Sequence, residues 1–238
     1  MQRVLVTGGA GFIGSHVTEE LVRRGYQVRV LDNFFRGSRK NLAGFETDLE
    51  IIEGDCADLD TMKRAVAGMD TVYHLASVNG TKYFYTMPDK ILNSGIRGML
   101  NVIEALAGAS VERVIYASTA EAYGIPQQFP TPEDHPLVVP DPRNPRWSYS
   151  GTKIIGELLL LNNAAKLGIA PVIIRYHNSY GPRMGWKHVV SEFLYRMITG
   201  ARFTISGTGE ETRSFCYISD TVEGTLLAGT QSAAAGQI

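Results

Sequence analysis

The sequence has few of the residues that build metal or disulfide sites. It holds two cysteines, Cys56 and Cys216, and five histidines in 238 residues, and neither set shows the spacing of metal ligands. The two cysteines also lack redox spacing, and they fit a reducing compartment in which both are small core or site-lining residues. We therefore expect no metal centre.

An excess of one charge and long apolar runs are also missing. Lys and Arg total 23 against 24 Asp and Glu, a formal net charge of −1, which excludes an overall field that attracts nucleic acid or anionic lipid. No apolar run approaches membrane-spanning length, and the first predicted strand begins by residue 3, which leaves no room for a signal peptide. We therefore expect a cytoplasmic protein that binds neither nucleic acid nor membrane.

Proline is scarce outside one segment. Seven of the ten prolines lie between Gly124 and Arg146, which excludes a regular helix there. A loop of this length inside a compact domain is usually functional. We call residues 124–146 the proline-rich loop and expect it to serve function.

Strand-like and helix-like segments alternate through the rest of the chain. The predicted strands are nearly continuous apolar runs, as strands covered on both faces should be, and they cover residues 3–7, 27–31, 49–53, 71–75, 113–117 and 172–175. The predicted helices cover residues 59–67, 88–107 and 149–167. This order predicts an α/β fold with a Rossmann-like, doubly wound parallel sheet. A helix at 189–198, a strand at 202–205 and a helix at 220–228 suggest a partly separate lobe.

A glycine-rich turn follows the first predicted strand. Gly8, Gly11 and Gly14 stand three residues apart, and a helical pattern starts at Phe12 and Ile13. Such a turn points backbone N–H groups and the positive end of the helix dipole at one spot, which suits a pyrophosphate. The alternative is a turn that binds nothing, but its place in a strand–turn–helix unit favours a nucleotide.

Acidic and small residues follow the next three strands at the same predicted sheet edge. Asp32 ends the second strand, where a carboxylate reaches both hydroxyls of an adenosine ribose and repels a 2′-phosphate, so NAD is favoured over NADP. The alternative for Asp32 is a loop cap. For His74 a structural role is favoured. The other residues predicted to line the cofactor are Asn33, Asp55, Cys56, Leu75 and Ala76.

A tyrosine and a lysine one helical turn apart form the second strong signal. Tyr149 and Lys153 stand at i and i+4, so an ammonium beside the phenol is expected to lower the pKa of Tyr149. Such a tyrosine takes a proton from a hydroxyl while hydride leaves the carbon for nicotinamide. Ser118 and Thr119 end the fifth strand, where a hydroxyl can share the proton and orient the substrate oxygen.

Together with the segment from Asn178 to Arg183, these motifs resemble the extended short-chain dehydrogenase/reductase family, and within it the nucleotide-sugar epimerases, dehydratases and decarboxylases. The resemblance implies tightly held NAD, reduced and reoxidised in one turnover through a transient 4-keto sugar. It implies that Thr119, Tyr149 and Lys153 carry out hydride transfer. It also implies that Asn178 and Arg213 contact a nucleotide sugar, with a UDP-sugar favoured, and that helices 88–107 and 149–167 pair in a homodimer.

Glu121 bears on the subclass that the resemblance implies. The 4,6-dehydratases and UDP-glucuronate decarboxylases have a glutamate at this position, and many 4-epimerases lack it. Ala120 stands where the dTDP-glucose dehydratases have an aspartate. The residues around Arg146 and Arg213 look most like the decarboxylases, in which an arginine acts near the departing carboxylate. The alternatives are a UDP-hexose 4-epimerase, in which Glu121 only pairs with a loop, and a catalytically idle NAD-binding or scaffold protein.

The sequence departs from the family pattern in two places. The family motif Asn-x-x-Gly-Thr is replaced by residues 95–99, Gly-Ile-Arg-Gly-Met, so a cofactor contact is missing or replaced. Family members also continue well past residue 237. We therefore predict an NAD-binding Rossmann domain at 1–178 and a partial, incomplete substrate-binding lobe at 179–238.

Overall fold

A six-stranded parallel sheet forms the centre of the fold. The computed structural model describes residues 2–185, 188–205 and 207–238. The strands lie in the order β3-β2-β1-β4-β5-β6, and each neighbouring pair is parallel, as predicted for a doubly wound sheet. The strands are β1 (Arg3–Thr7), β2 (Gln27–Asp32), β3 (Leu49–Glu53), β4 (Thr71–His74), β5 (Arg113–Thr119) and β6 (Ala170–Tyr176).

Helices cover both faces of this sheet. The helices are α1 (Phe12–Arg23), α2 (Leu59–Val66), α3 (Thr81–Thr86), α4 (Pro88–Leu106), α5 (Ser148–Leu167), α6 (Val189–Thr199) and α7 (Ile218–Thr230). Side chains of α2, α4 and α5 pack in the core on one face, and those of α1 and α7 pack in the core on the other. Within the described ranges no helix has both the length and the apolar character that crossing a bilayer requires.

The central strand β1 contributes to both cores because successive side chains point to opposite faces. Leu5 belongs to the core with α2, α4 and α5, whereas Val4 and Val6 belong to the core with α1 and α7. From β1 the order runs to β2 and β3 on one side and to β4, β5 and β6 on the other. This reversal opens a crevice at the carboxyl edge of the sheet, where doubly wound folds bind ligands.

The ends of two long helices follow the expected local chemistry. Pro88 occupies the first turn of α4, where its missing N–H is not needed. Helix α5 ends at Gly168, which adopts the left-handed conformation with φ 67°. These signals explain why the predicted bounds of both helices agree with the structure to within one residue.

A second, two-stranded sheet follows the main one. Strand β7 (Asn178–Tyr180) pairs in parallel with β8 (Phe215–Tyr217). The predicted strand at 202–205 is wrong, because these residues are exposed and pair with no strand in the described part of the chain. Helix α7 returns to pack on α1 and the main sheet. The predicted division at residue 178 thus lies between the two sheets, and it stays a prediction.

Candidate functional site

A cleft of about 1910 Å³ opens at the carboxyl edge of the six-stranded sheet. All the residues assigned from the sequence to the cofactor, to catalysis or to the substrate line this cleft: Gly8, Gly11, Phe12, Ile13, Gly14, Asp32, Asn33, Asp55, Cys56, Leu75, Ala76, Thr119, Glu121, Tyr149, Lys153, Asn178 and Arg213. The topology therefore brings residues far apart in the chain to one site.

The turn between β1 and α1 has the shape that a dinucleotide requires. Gly8 has φ +71°, and a Cβ there would lie 2.8 Å from the backbone of Ala76. A Cβ on Gly14 would overlap the carbonyl oxygen of Gly8. Gly11 caps α1 without a side-chain hydrogen bond, so the N–H groups of the first turn keep their capacity to bind an anion. This cradle fits the pyrophosphate of NAD.

Asp32 is held rigidly at the floor of the cleft. Its Oδ2 accepts a hydrogen bond from the Ala10 N–H at 2.9 Å, and its Oδ1 accepts one from the Phe34 N–H at 2.8 Å. Burial raises the pKa of Asp32, and the two N–H donors oppose that shift. Asp32 does cap its loop, and each oxygen keeps a second lone pair for a ribose hydroxyl.

The residues after β3 are similarly fixed. The Asn33 amide donates to Asp55 at 2.8 Å, and the Ala57 N–H donates to the other oxygen of Asp55 at 2.9 Å. Burial raises the pKa of the Cys56 thiol to about 12, so this cysteine is neutral and unreactive at ordinary pH. Cys56 therefore shapes the cleft wall, as a small buried side chain.

Tyr149 lies buried at the start of α5. Its ring stacks on Phe84 with the ring centres 5.7 Å apart. Burial, and then the charge of Glu121, raise the pKa of Tyr149, while hydrogen bonds with the Ser77 and Thr119 side chains lower it, and the net shift is upward. The predicted lowering of this pKa is therefore wrong for the structure described here, because desolvation outweighs the favourable contacts.

Lys153 explains part of that difference. Its Nζ donates to the Ala117 carbonyl at 2.6 Å and lies 5.7 Å from the centre of the Tyr149 ring. Burial lowers the pKa of Lys153 to about 7, and Glu157 opposes this shift. The same burial therefore disfavours both charged forms, the ammonium of Lys153 and the phenolate of Tyr149.

Ser118 and Thr119 point in different directions, because neighbouring residues of a strand face opposite sides. Thr119 shares a hydrogen bond with Tyr149, and its Oγ1 also accepts from the Glu121 N–H at 3.2 Å. Ser118 instead donates to the carboxylate of Glu157. Of the two hydroxyls, Thr119 is therefore the one placed beside the phenol.

Glu121 is half-buried, with one carboxylate oxygen enclosed by the protein. Its Oε2 is buried and has no hydrogen-bond partner among the described residues. Burial raises the pKa of Glu121, and the positive charges of Arg146 and Arg213 oppose that shift, with Arg146 the stronger. The Glu121 carboxylate therefore has a free hydrogen-bond acceptor and lies in the field of two cations. This setting suits a group that transfers a proton to or from a bound molecule.

The two predicted substrate contacts lie at the second, two-stranded sheet and also line the cleft. Strands β7 and β8 pair so that Asn178 lies opposite Phe215, and the Asn178 amide donates to the Ser214 carbonyl at 3.0 Å. Arg213 is exposed, and its Nη1 donates to its neighbour's carbonyl at 2.7 Å. The small sheet thus brings both side chains to the cleft.

Sequence reasoning missed two residues of this site and left one departure unexplained. Ser77 gave no signal, whereas Glu157 stands four residues after Lys153, a spacing that continues the same helix face. At Gly95, where the family has asparagine, a Cβ would lie 2.9 Å from the Thr152 side chain. Close packing of α4 on α5 therefore accounts for the glycine.

Comparison with known proteins agrees with this geometry. A UDP-N-acetyl-alpha-D-glucosaminuronate decarboxylase from Bacillus cytotoxicus is 36% identical over 95% of this chain and 71% of its own length. A UDP-glucuronic acid decarboxylase 1 from Xenopus tropicalis is 35% identical over 94% of this chain. The chain spans 53% of the length of that second relative.

Solved structures and a family model lead to the same group. The crystal structure of a dTDP-glucose 4,6-dehydratase from Streptomyces venezuelae with NAD bound superposes with a TM-score of 0.89, at 28% identity, over all of this chain and 74% of that one. The model of the NAD dependent epimerase/dehydratase family matches residues 4–238. The chain therefore belongs to the NAD-dependent epimerase/dehydratase family, as the sequence motifs and the cofactor cradle predict.

Proposed function

We propose that this chain carries the NAD-binding and catalytic part of a nucleotide-sugar decarboxylase that acts on a UDP-linked uronic acid through a transient 4-keto sugar. The observation that carries the proposal is the setting of Glu121. Its buried Oε2 has no hydrogen-bond partner among the described residues, and the charges of Arg146 and Arg213 act on the carboxylate. Both curated relatives are named as decarboxylases of UDP-linked uronic acids.

The cofactor site in this proposal follows the cleft from β1 to β5. The turn from Gly8 to Gly14 would hold the pyrophosphate of NAD, Asp32 would bind the adenosine ribose, and Asp55 would lie beside the adenine. NAD, when bound, supplies the nicotinamide that accepts and returns hydride at C4. Asn33, Cys56, Leu75 and Ala76 shape the wall around it.

The protein's own groups handle the protons and the carboxylate. Tyr149 accepts the proton of the C4 hydroxyl as a phenolate, and the positive charges of Lys153 and of the oxidised nicotinamide, when NAD is bound, would offset the burial that raises its pKa. Thr119 orients the C4 oxygen. Once C4 is a ketone, the C6 carboxylate is β to a carbonyl. The C5–C6 bond then breaks, its electron pair moves toward the C4 oxygen, and CO₂ leaves.

Arg146 and Arg213 act before the C–C bond breaks, and Glu121 acts after it. The arginines Arg146 and Arg213 hold the C6 carboxylate before it departs. Protonated Glu121 then donates its proton to C5 of the enolate and becomes a carboxylate, and its raised pKa favours the protonated form that this step needs. Asn178 holds the sugar from the two-stranded sheet.

Product mass tests the proposal directly. Purified protein with NAD is incubated with UDP-glucuronate, UDP-glucose or UDP-GlcNAc. We expect loss of CO₂ from UDP-glucuronate. Loss of water identifies a dehydratase, an isobaric product identifies a 4-epimerase, and bound NAD without any product identifies an idle NAD-binding protein or scaffold; each of these contradicts decarboxylation.

Two variants separate the roles within the site. Tyr149→Phe removes the proton acceptor and should abolish turnover while NAD still binds. Glu121→Gln should reduce product formation by about 10²- to 10⁴-fold, because a positioned acid–base group contributes that much. Glu210→Gln is the matched control, since Glu210 is an exposed glutamate on the same cleft, and its turnover should equal that of the unchanged protein.

We also propose that two copies pair through α4 and α5. These helices pack against each other, and they leave large apolar side chains exposed at Leu92, Leu100, Ile155, Leu158 and Leu161. Sedimentation showing only monomer at micromolar concentration would refute this dimer.

A further inference from the structure

A buried ion pair lies behind the proposed catalytic lysine. Glu157 stands one helical turn after Lys153 on α5, and Arg175 lies on β6. Arg175 Nη2 is 2.7 Å from one Glu157 oxygen, and Arg175 Nε is 3.1 Å from the other, with side-chain exposures of 7% and 3%. Two buried charges are expensive to desolvate and are often replaceable by apolar residues without loss of stability.

The other contacts of this pair connect it to the cleft and to the proline-rich loop. The Glu157 carboxylate accepts the hydroxyl of Ser118, next to Thr119 on β5. Arg175 Nη1 donates to the Tyr123 hydroxyl at 3.0 Å and to the Glu133 carbonyl at 2.7 Å. The pair therefore joins the helix that bears Lys153 to the loop at the substrate end of the cleft.

The surroundings of Lys153 contain few groups that can balance its charge. Its Nζ lies 4.8 Å from the centre of the Tyr116 ring, on which the His74 ring stacks. Burial lowers the pKa of His74 to about 3, so this imidazole is neutral. In the part of the chain that the structure describes, the titratable groups that act on or face Lys153 are His74 on β4, Tyr116 on β5, and Tyr149 and Glu157 on α5.

We propose that Glu157 is a positioning residue whose carboxylate keeps Lys153 as an ammonium ion, while Arg175 fixes that carboxylate and ties the proline-rich loop to it. The inference rests on the proposed function, because an ammonium beside Tyr149 matters for a proton leaving the C4 hydroxyl. Lys153 as a neutral amine gives no electrostatic support to the phenolate. Glu157 thus acts through Lys153, without touching the substrate.

A titration of Lys153 tests the inference without any activity. The full chain is labelled with [¹⁵N]lysine, and the Nζ signal that disappears in Lys153→Met is followed by NMR. An opposite charge one helical turn away shifts a pKa by about 1–3 units, and Glu157 raises the pKa of Lys153, so Glu157→Gln should lower the titration midpoint by about 2 pH units. An unchanged midpoint overturns the proposal.

Two further variants keep this test decisive. Glu157→Gln leaves Arg175 buried and unpaired, which can unfold the protein. The double variant Glu157→Gln/Arg175→Met removes both charges and should fold. Its midpoint should be lowered by less than in the single variant, because a positive charge near Lys153 is lost together with the negative one. Tyr123→Phe is the control, because it removes one loop contact of Arg175 and keeps Glu157, so the Lys153 midpoint should stay where it is.

The pH dependence of product formation then tests whether the charge of Lys153 controls turnover. The alkaline limb should follow the Lys153 midpoint, so Glu157→Gln should lose about 10- to 100-fold in kcat above that midpoint, with KM little changed, and the double variant should lose less. Tyr123→Phe should instead raise KM. If the unchanged protein converts no nucleotide sugar, the proposed function fails, and the NMR titration still decides the role of Glu157.

Discussion

Gly14→Ala should weaken NAD binding, because the cradle has no room for one methyl group. A Cβ on Gly14 would overlap the carbonyl oxygen of Gly8 and lie 2.9 Å from its carbonyl carbon and 3.0 Å from the Cα of Gly9. All three neighbours are backbone, so the turn itself must shift. Overpacking of this kind costs about 1–3 kcal/mol, which predicts a loss of about 5- to 150-fold in NAD affinity.

Calorimetric titration with NAD measures this loss, and Gly151→Ala is the matched control. Gly151 is a helical glycine on α5, and a Cβ there would lie 4.0 Å from Val139, an ordinary contact. We expect Gly151→Ala to bind NAD as the unchanged protein does and to gain up to about 1 kcal/mol of stability from helix propensity. Unchanged NAD affinity in Gly14→Ala would refute the assignment of the pyrophosphate to this turn.

Three further predictions concern stability and assembly. Burial lowers the pKa of His74 from 6.5 to about 3 in the folded protein, so between these pH values the unfolded chain binds more protons. The free energy of unfolding should therefore rise with pH by up to about 1.4 kcal/mol per unit. Urea unfolding across this range should show a shallower dependence of that free energy on pH in His74→Gln. Leu158→Glu should convert the proposed dimer to monomer in sedimentation, and a persistent dimer would place the interface elsewhere. In Gly229→Ala the new Cβ would overlap the Tyr73 hydroxyl oxygen, so thermal unfolding should show a loss of about 1–3 kcal/mol, and an unchanged melting temperature would contradict that packing.

The sheet and the cofactor cradle were predictable from sequence because their signals are local. The strand Arg3–Thr7, the glycine turn and the helix that follows are contiguous, and each has its own pattern. The carboxyl ends of parallel strands meet at one edge of the sheet, so the sequence alone predicts that Asp32 and Thr119 share a cleft.

Properties that depend on neighbours distant in the chain were not predictable. The segment 202–205 has strand-like residues, yet Phe203 and Ile205 are exposed, since a strand forms only beside a partner. The i, i+4 spacing placed Lys153 near Tyr149 but contained no information about burial, which sets the direction of both pKa shifts. The pairing of Glu157 with Arg175 crosses from α5 to β6, and no local pattern specifies it.

The anchoring of the proline-rich loop has a consequence for how such proteins diversify. Arg175 holds this loop at Glu133 through the main-chain carbonyl, at 2.7 Å. Every amino acid supplies that acceptor, so the fastening does not depend on which side chain stands at 133. The loop can therefore exchange its side chains while its attachment to α5, through Arg175 and Glu157, is kept.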